Sequence, residues 1–225
     1  MDEARIIEQL SSVDTPTISN AIERLKLRNR TAGFCNRDMR CLTPELGFLC
    51  GYAVTAEVET MSPDTDGGLD EKFIELCEAI AAAHSPSVVV LSERGALPEY
   101  SAHCGEVMAT VFQKLGSVGL VSDGAVRDIA EVRAMGYRYF APGLVASHGS
   151  FRITRVQVPV TVCGLRVDPG DLLHGDENGL VSIPLQAIEQ LPELIGQVRN
   201  AEKNVLDIVR GDDFTLDELR KTLVH

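Results

Sequence analysis

At 225 residues the chain is long enough to bury a full core as one domain, spanning 1–225, and its 44% hydrophobic and 24% charged content is that of a globular protein. A net charge of −12 excludes nucleic-acid binding through a general basic surface, because phosphate neutralisation needs clustered Lys and Arg. An anionic ligand would need a local positive feature strong enough to overcome that field.

The chain opens on MDEARIIEQL, which is acidic and amphipathic and lacks the basic and apolar regions of a secretion signal. Apolar runs such as SVVVL (87–91) are too short to span a bilayer, so a cytoplasmic protein without a membrane partner is expected. The six cysteines contain no Cys-x-x-Cys and are expected to be reduced and mostly buried. The spacing of Cys35, Cys41 and Cys50 fits no zinc ribbon or finger.

The first clear element is DTPTISNAIERL (14–25). Asp14 or Thr15 can cap a helix there, Pro16 suits its first turn, and Ile18, Ile22 and Leu25 fall on one face. GYAVTAEVE (51–59) reads as a strand, SPDTDGG (62–68) as a polar loop and LDEKFIELCEAIAAAH (69–84) as an amphipathic helix. A buried strand (87–93), a helix (105–116), a strand (117–124), a helix (126–136) and a short strand (137–143) follow. Such alternation predicts an α/β layer with at least some parallel strands. After Gly149 the pattern turns β-rich: FRITRVQVPVTVCGLRV (151–167) alternates, DPGD and DENG are turns, and GLVSIP (179–184) is a strand. Residues 185–225 form a helical C-terminal arm, predicted to break at Pro192 and again at RGDDF (210–214).

Charged residues gather at two junctions. Arg127 and Asp128 lie just past the strand 117–124, where open α/β sheets bind their ligands, and Asp128 and Glu131 are expected to share a helix face. SAHCGEVM (101–108) offers Gly105, Glu106 and the free backbone N–H groups of a helix start, which attract anions. The combination fits a hydrated hard cation with an anionic ligand. Mg²⁺ (or Mn²⁺) keeps several waters and needs only one or two direct carboxylates, with Asp128 as direct ligand and Glu106 and Glu131 holding metal-bound waters. Arg127 and the amides after Gly105 would hold a substrate carboxylate. A helix terminus contributes roughly 0.3–1 kcal/mol, against several kcal/mol from a Lewis acid at a developing oxyanion, so the metal would dominate. The same spacing also fits a plain Arg-Asp pair answering a helix dipole.

Neighbouring residues take simpler readings. His103 belongs to the pocket mouth or to an exposed loop, His174 packs at a strand end or supplies a proton, and His84 and His148 lie on the surface. Asp176 sets a turn, Cys104 is structural, and Asp123 is expected to buttress Arg127.

The pattern Glu106-x20-Arg127-Asp128-x2-Glu131, with GALPEYSAHCGE before it and GDENGLVSIP after it, resembles the RraA-like family, and the resemblance runs from Thr15 to Pro184. That family includes class II pyruvate aldolases acting on 4-hydroxy-4-methyl-2-oxoglutarate and 4-carboxy-4-hydroxy-2-oxoadipate. The resemblance implies an α/β/β/α layered core similar to swivelling phosphohistidine-type domains, assembled as a homotrimer or homohexamer. It also implies a divalent-metal lyase acting on a small 2-oxo acid. Asp128 resembles the direct metal ligand, Glu106 and Glu131 its water-mediated partners, and Arg127 the substrate-binding, enolate-stabilising arginine. The amides of Val107 and Met108 resemble the carboxylate cradle beside Gly105. The family's ribonuclease E regulators lack the aspartate after the arginine, and this chain keeps it. The first acid is Glu106, where aldolases often carry Asp. The implied reaction is retro-aldol cleavage to pyruvate and a second oxo acid, together with decarboxylation of oxaloacetate. The alternative is a non-catalytic regulator of ribonuclease activity acting through protein–protein contacts. No glycine-rich nucleotide loop follows a first strand, which argues against a methyltransferase.

Overall fold

The computed structural model describes residues 3–60 and 71–223, so the predicted loop at 62–68 lies outside the described residues. The N-terminal helices are α1 (Glu3–Leu10) and α2 (Thr15–Arg24). Asp14 caps α2, accepting from the Thr17 N–H and the Thr17 hydroxyl at 2.9 Å each, and Pro16 occupies the first turn, where no helical N–H is lost.

Strands β1 (Arg40–Cys41), β2 (Leu49–Thr60), β3 (Ser87–Glu93), β4 (Ser117–Ser122) and β5 (Arg138–Ala141) follow, with α3 (Glu71–Ala82), α4 (Glu106–Lys114) and α5 (Ile129–Ala134) between them. The pairs β2–β3, β3–β4 and β4–β5 are parallel, as helical crossovers require. The second half is antiparallel: β6 (Phe151–Val156) pairs with the end of β2, while β9 (Leu172–Asp176) pairs with its start and with β10 (Gly179–Ile183). A hairpin of β7 (Val160–Val162) and β8 (Leu165–Val167) stands apart from this eight-stranded sheet.

Alternation along β2 sorts the core. Val54, Ala56 and Val58 face α3 to α5 and meet Phe73, Leu76, Ile80 and Phe112. Ala53 faces the other way, with Val88, Val90, Phe140 and Leu173, toward the β7–β8 hairpin. Each fully buried Leu, Ile or Phe here contributes about 1.5–3 kcal/mol. The sheet curls: Gly175 of β9 abuts the Phe140 ring of β5, with three strands between them in the order, closely enough that a Cβ would lie 2.8 Å from it. Helices therefore flank strand layers that meet around the hairpin, a mixed α/β architecture of the expected order. At the start of β2, Cys50 and Tyr52 pack with β9 and β10 beneath α1, α2 and α6 (Leu191–Arg210).

Two expectations are corrected. Pro192 does not interrupt the C-terminal arm; it sits in the first turn of α6, entered through a 3₁₀ helix at Leu185–Gln190, so its missing N–H costs no interior bond. The break before α7 (Leu216–Leu223) falls at 211–215, where the RGDDF stretch ends. The helix expected from residue 126 begins only at Ile129, because Ala125 and Val126 bridge to Ala102 and Leu144 as extended backbone. No helix among the described residues is long and apolar enough to cross a membrane.

Candidate functional site

The carboxyl ends of β3 and β4 and the segment entering α4 converge at one corner of the sheet. The chain after β4 runs beside residues 102–105 as a short extended ladder. The His103 N–H donates to Ala125 O at 2.9 Å, and the Arg127 N–H donates to Cys104 O at 3.0 Å. This ladder presses Gly105 against Asp128. The Glu106 N–H donates to Asp128 Oδ2 at 2.9 Å, and Arg127 Nε lies 3.5 Å from the same oxygen. A Cβ on Gly105 would clash with that oxygen and come within 2.9 Å of Arg127 Nε, so the approach requires glycine.

Asp128 is therefore not a first-turn residue sharing a helix face with Glu131. It is the N-cap of α5, held in the left-handed region at φ 57°, ψ 42°, which a short polar side chain tolerates better than most. Its carboxylate turns away from its own helix and caps α4, whose backbone ladder starts with the Ala109 N–H donating to Gly105 O at 3.0 Å. That start leaves the N–H groups of Val107 and Met108 ahead of the ladder. The Arg127 and Asp128 side chains are half-exposed, Glu106, Val107 and Glu131 are exposed, and Met108 is buried below.

The structure thus brings Gly105, Glu106, Arg127 and Asp128 together, while Glu131 stands in the first turn of α5 without a hydrogen bond to its side chain among the described residues. Oδ2 of Asp128 is taken by the Glu106 N–H and the Arg127 ion pair, which leaves Oδ1 open to a ligand. No group of three or more His, Cys, Asp or Glu side chains among the described residues is arranged to hold a metal. The donor set suits a largely hydrated hard cation with one direct carboxylate, and not a multi-ligand cage. Guanidinium and free amides beside it suit a carboxylate.

A second polar cluster lies directly behind this corner, and the sequence had pointed elsewhere. His103 is neither exposed nor at a pocket mouth: it is fully buried. Its Nε2 lies 2.7 Å from Glu93 Oε2 and its Nδ1 2.8 Å from Ser122 Oγ. Glu93 also accepts from the Thr60 N–H at 2.9 Å, from the Thr60 hydroxyl and from the Gly95 N–H. Burial pushes the Glu93 carboxyl up, but the hydrogen bonds from His103, Thr60 and Gly95 outweigh it and hold the pKa down at about 2. The one sequence signal for Glu93 was an acid closing an otherwise apolar strand, SVVVLSE. Asp123 does not buttress Arg127. It accepts from the Glu93 N–H at 2.6 Å and the Ser92 hydroxyl at 3.3 Å, and burial raises its pKa.

Other residues fall where they were expected. His174 is buried on β9, its Nδ1 3.0 Å from the Thr15 hydroxyl and its Nε2 3.1 Å from Leu10 O, and burial pushes its pKa down to about 4. Asp176 sets its turn through the Asn178 N–H at 2.7 Å and also receives the Thr15 N–H at 2.9 Å. Cys104 is buried, its thiol pushed up to about 12 by that burial, which suits a structural role. His84 and His148 are exposed.

A sequence profile of the RraA-like family, described as Aldolase/RraA, matches residues 15–182. An uncharacterised protein of Methanocaldococcus jannaschii is 31% identical over 110 residues, 48% of this chain and 53% of that protein. The match thus spans about half the length of that relative. A protein of Halalkalibacterium halodurans with the provisional name 4-hydroxy-4-methyl-2-oxoglutarate aldolase is 27% identical over 187 residues, 82% of this chain and 80% of its own. Among solved structures, Streptomyces coelicolor RraAS2, described as an unusual member of the RNase ES inhibitor RraA protein family, superposes with a TM-score of 0.66 at 21% identity. That superposition covers 88% of this chain and 92% of the other, and shares the fold.

Proposed function

The chain belongs to the RraA-like family, and we propose that it is a divalent-metal-dependent lyase that cleaves a 4-hydroxy-2-oxo acid of the 4-hydroxy-4-methyl-2-oxoglutarate type to pyruvate and a second oxo acid. The observation that carries this reading is the Gly105–Asp128 contact, which sets an open carboxylate, a guanidinium and the unpaired amides of a helix start around one point. Asp128 would hold Mg²⁺ or Mn²⁺ directly, Glu106 and Glu131 would hold its waters, and the bound metal would supply Lewis-acid polarisation of the 2-oxo group.

The residues of the chain do the rest. The Val107 and Met108 N–H groups and the Arg127 guanidinium receive the substrate carboxylate, compensating its charge locally in a chain of net charge −12. Water in the site takes the C4 hydroxyl proton, the C3–C4 bond breaks, and its electron pair moves into the C2–C3 bond. The resulting enolate oxygen bears negative charge that Arg127 stabilises as a fixed cation. Protonation at C3 then gives pyruvate. Oxaloacetate reaches the same enolate by losing carbon dioxide, so its decarboxylation belongs to the same reading. A homotrimer or homohexamer is the proposed assembly.

Pyruvate release from both acids, measured with Mg²⁺ and again after chelation with EDTA, tests the proposal. Release that EDTA abolishes and Mg²⁺ restores is expected. No release from either acid, together with no binding of Mn²⁺, would replace it with the regulator reading.

A further inference from the structure

We propose that Glu93, His103 and Ser122 form a positioning unit that sets the separation of Gly105–Glu106 from Arg127–Asp128, and so the geometry in which the 2-oxo acid is held. This rests on the lyase reading above. Each member stands on one of the three segments that build the corner. Glu93 closes β3, Ser122 closes β4 five residues before Arg127, and His103 lies two residues before Gly105.

All three side chains are buried, and hydrogen bonds join them in a chain. The Glu93 carboxylate only accepts, so His103 Nε2–H donates to it; His103 Nδ1 shares a hydrogen bond of 2.8 Å with the Ser122 hydroxyl, and Ser122 Oγ accepts the Gly124 N–H at 3.1 Å. The His103 ring abuts Gly124, where a Cβ would overlap it, and lies 5.7 Å from the Phe151 ring. Taking a carboxylate out of water costs several kcal/mol, and an apolar filling would hold the strands as firmly. Apolar packing resists separation but tolerates sliding. Bonds of 2.7 and 2.8 Å fix the register of the two loops, on which the Glu106–Asp128 contact depends.

Ser122→Ala removes one buried hydroxyl from the unit. Ser117→Ala is the control, because Ser117 is also a buried serine of β4, bonded to the Tyr137 hydroxyl at 2.9 Å but remote from the corner. Ser122→Ala is expected to lower kcat for pyruvate release roughly tenfold while KM stays within about twofold. Hydrogen exchange at the Glu106 and Arg127 amides should quicken about tenfold, with the α2 and β9 amides unchanged. Ser117→Ala should lose stability with kcat and those two amides unaffected. Ser122→Ala behaving like Ser117→Ala in both readouts would overturn the proposal. If the wild-type chain releases no pyruvate, the lyase reading falls, and hydrogen exchange alone decides whether the unit couples the two loops.

Discussion

Two buried histidines divide the molecule. His174 joins the end of α1 and the start of α2 to β9, using a backbone carbonyl and a hydroxyl, both neutral partners. His103 joins the ends of β3 and β4 and leans on a carboxylate that four donors hold ionised. Both rings are fully buried and bonded at both nitrogens. Under the N-terminal helices polar burial is cheap and neutral, which is scaffolding. Behind Gly105 and Asp128 the fold retains a buried charge and fixes two loops with it, at the place where a residue is also forced into left-handed backbone.

Short of removing Asp128 itself, the largest expected effect comes from disturbing the second region without touching a charge. Gly105→Ala puts a Cβ against Asp128 Oδ2 and Arg127 Nε. It should cut pyruvate release on the order of 10²-fold, since a misplacement of about 1 Å can cost that much. The melting temperature should move little, because both loops are partly exposed. Retained activity in Gly105→Ala would mean that the close approach is incidental.

Acid separates the two histidine regions. His174 ionises at about 4 in the fold against 6.5 in the unfolded chain, so folding favours its neutral form. Its contribution, on the order of 3 kcal/mol, is present above pH 6.5 and lost as pH falls from 6.5 through 4. Glu93 ionises at about 2 against 4.5, so its contribution is present above pH 4.5 and lost as pH falls from 4.5 through 2. Urea midpoints measured along this range should fall in two stages. His174→Asn should flatten the first stage and Glu93→Gln the second. A single stage affected equally by both variants would erase the distinction between the regions.

Much of this was legible in the sequence, for reasons that differ by residue. SVVVLSE and the periodicity of residues 71–82 announced β3 and α3 because their burial is set locally, by a strand with both faces covered and a helix with one. Gly105, Glu106, Arg127 and Asp128 stood out as a charged pattern at two strand ends. The late start of α5 was not legible, because the hydrogen bonds that keep Ala125 and Val126 extended come from His103, Gly143 and Val145, on the segments that bridge to them. Pro192 read as a break, because nothing local marks the preceding 3₁₀ turn that makes it a first-turn residue. Glu93 and His103 are ten positions apart and Ser122 nineteen further on, joined only by the fold, so neither composition nor periodicity could pair them.

The most direct test of the central claim is the metal-dependent release of pyruvate by Asp128→Ala, from 4-hydroxy-4-methyl-2-oxoglutarate and from oxaloacetate, beside the wild-type chain in Mg²⁺. With metal assistance worth several kcal/mol, the substitution should lower kcat/KM on the order of 10²-fold or more for both acids, while the loss of one helix cap costs about 1 kcal/mol of stability. Wild-type release that Asp128→Ala leaves intact would contradict the account.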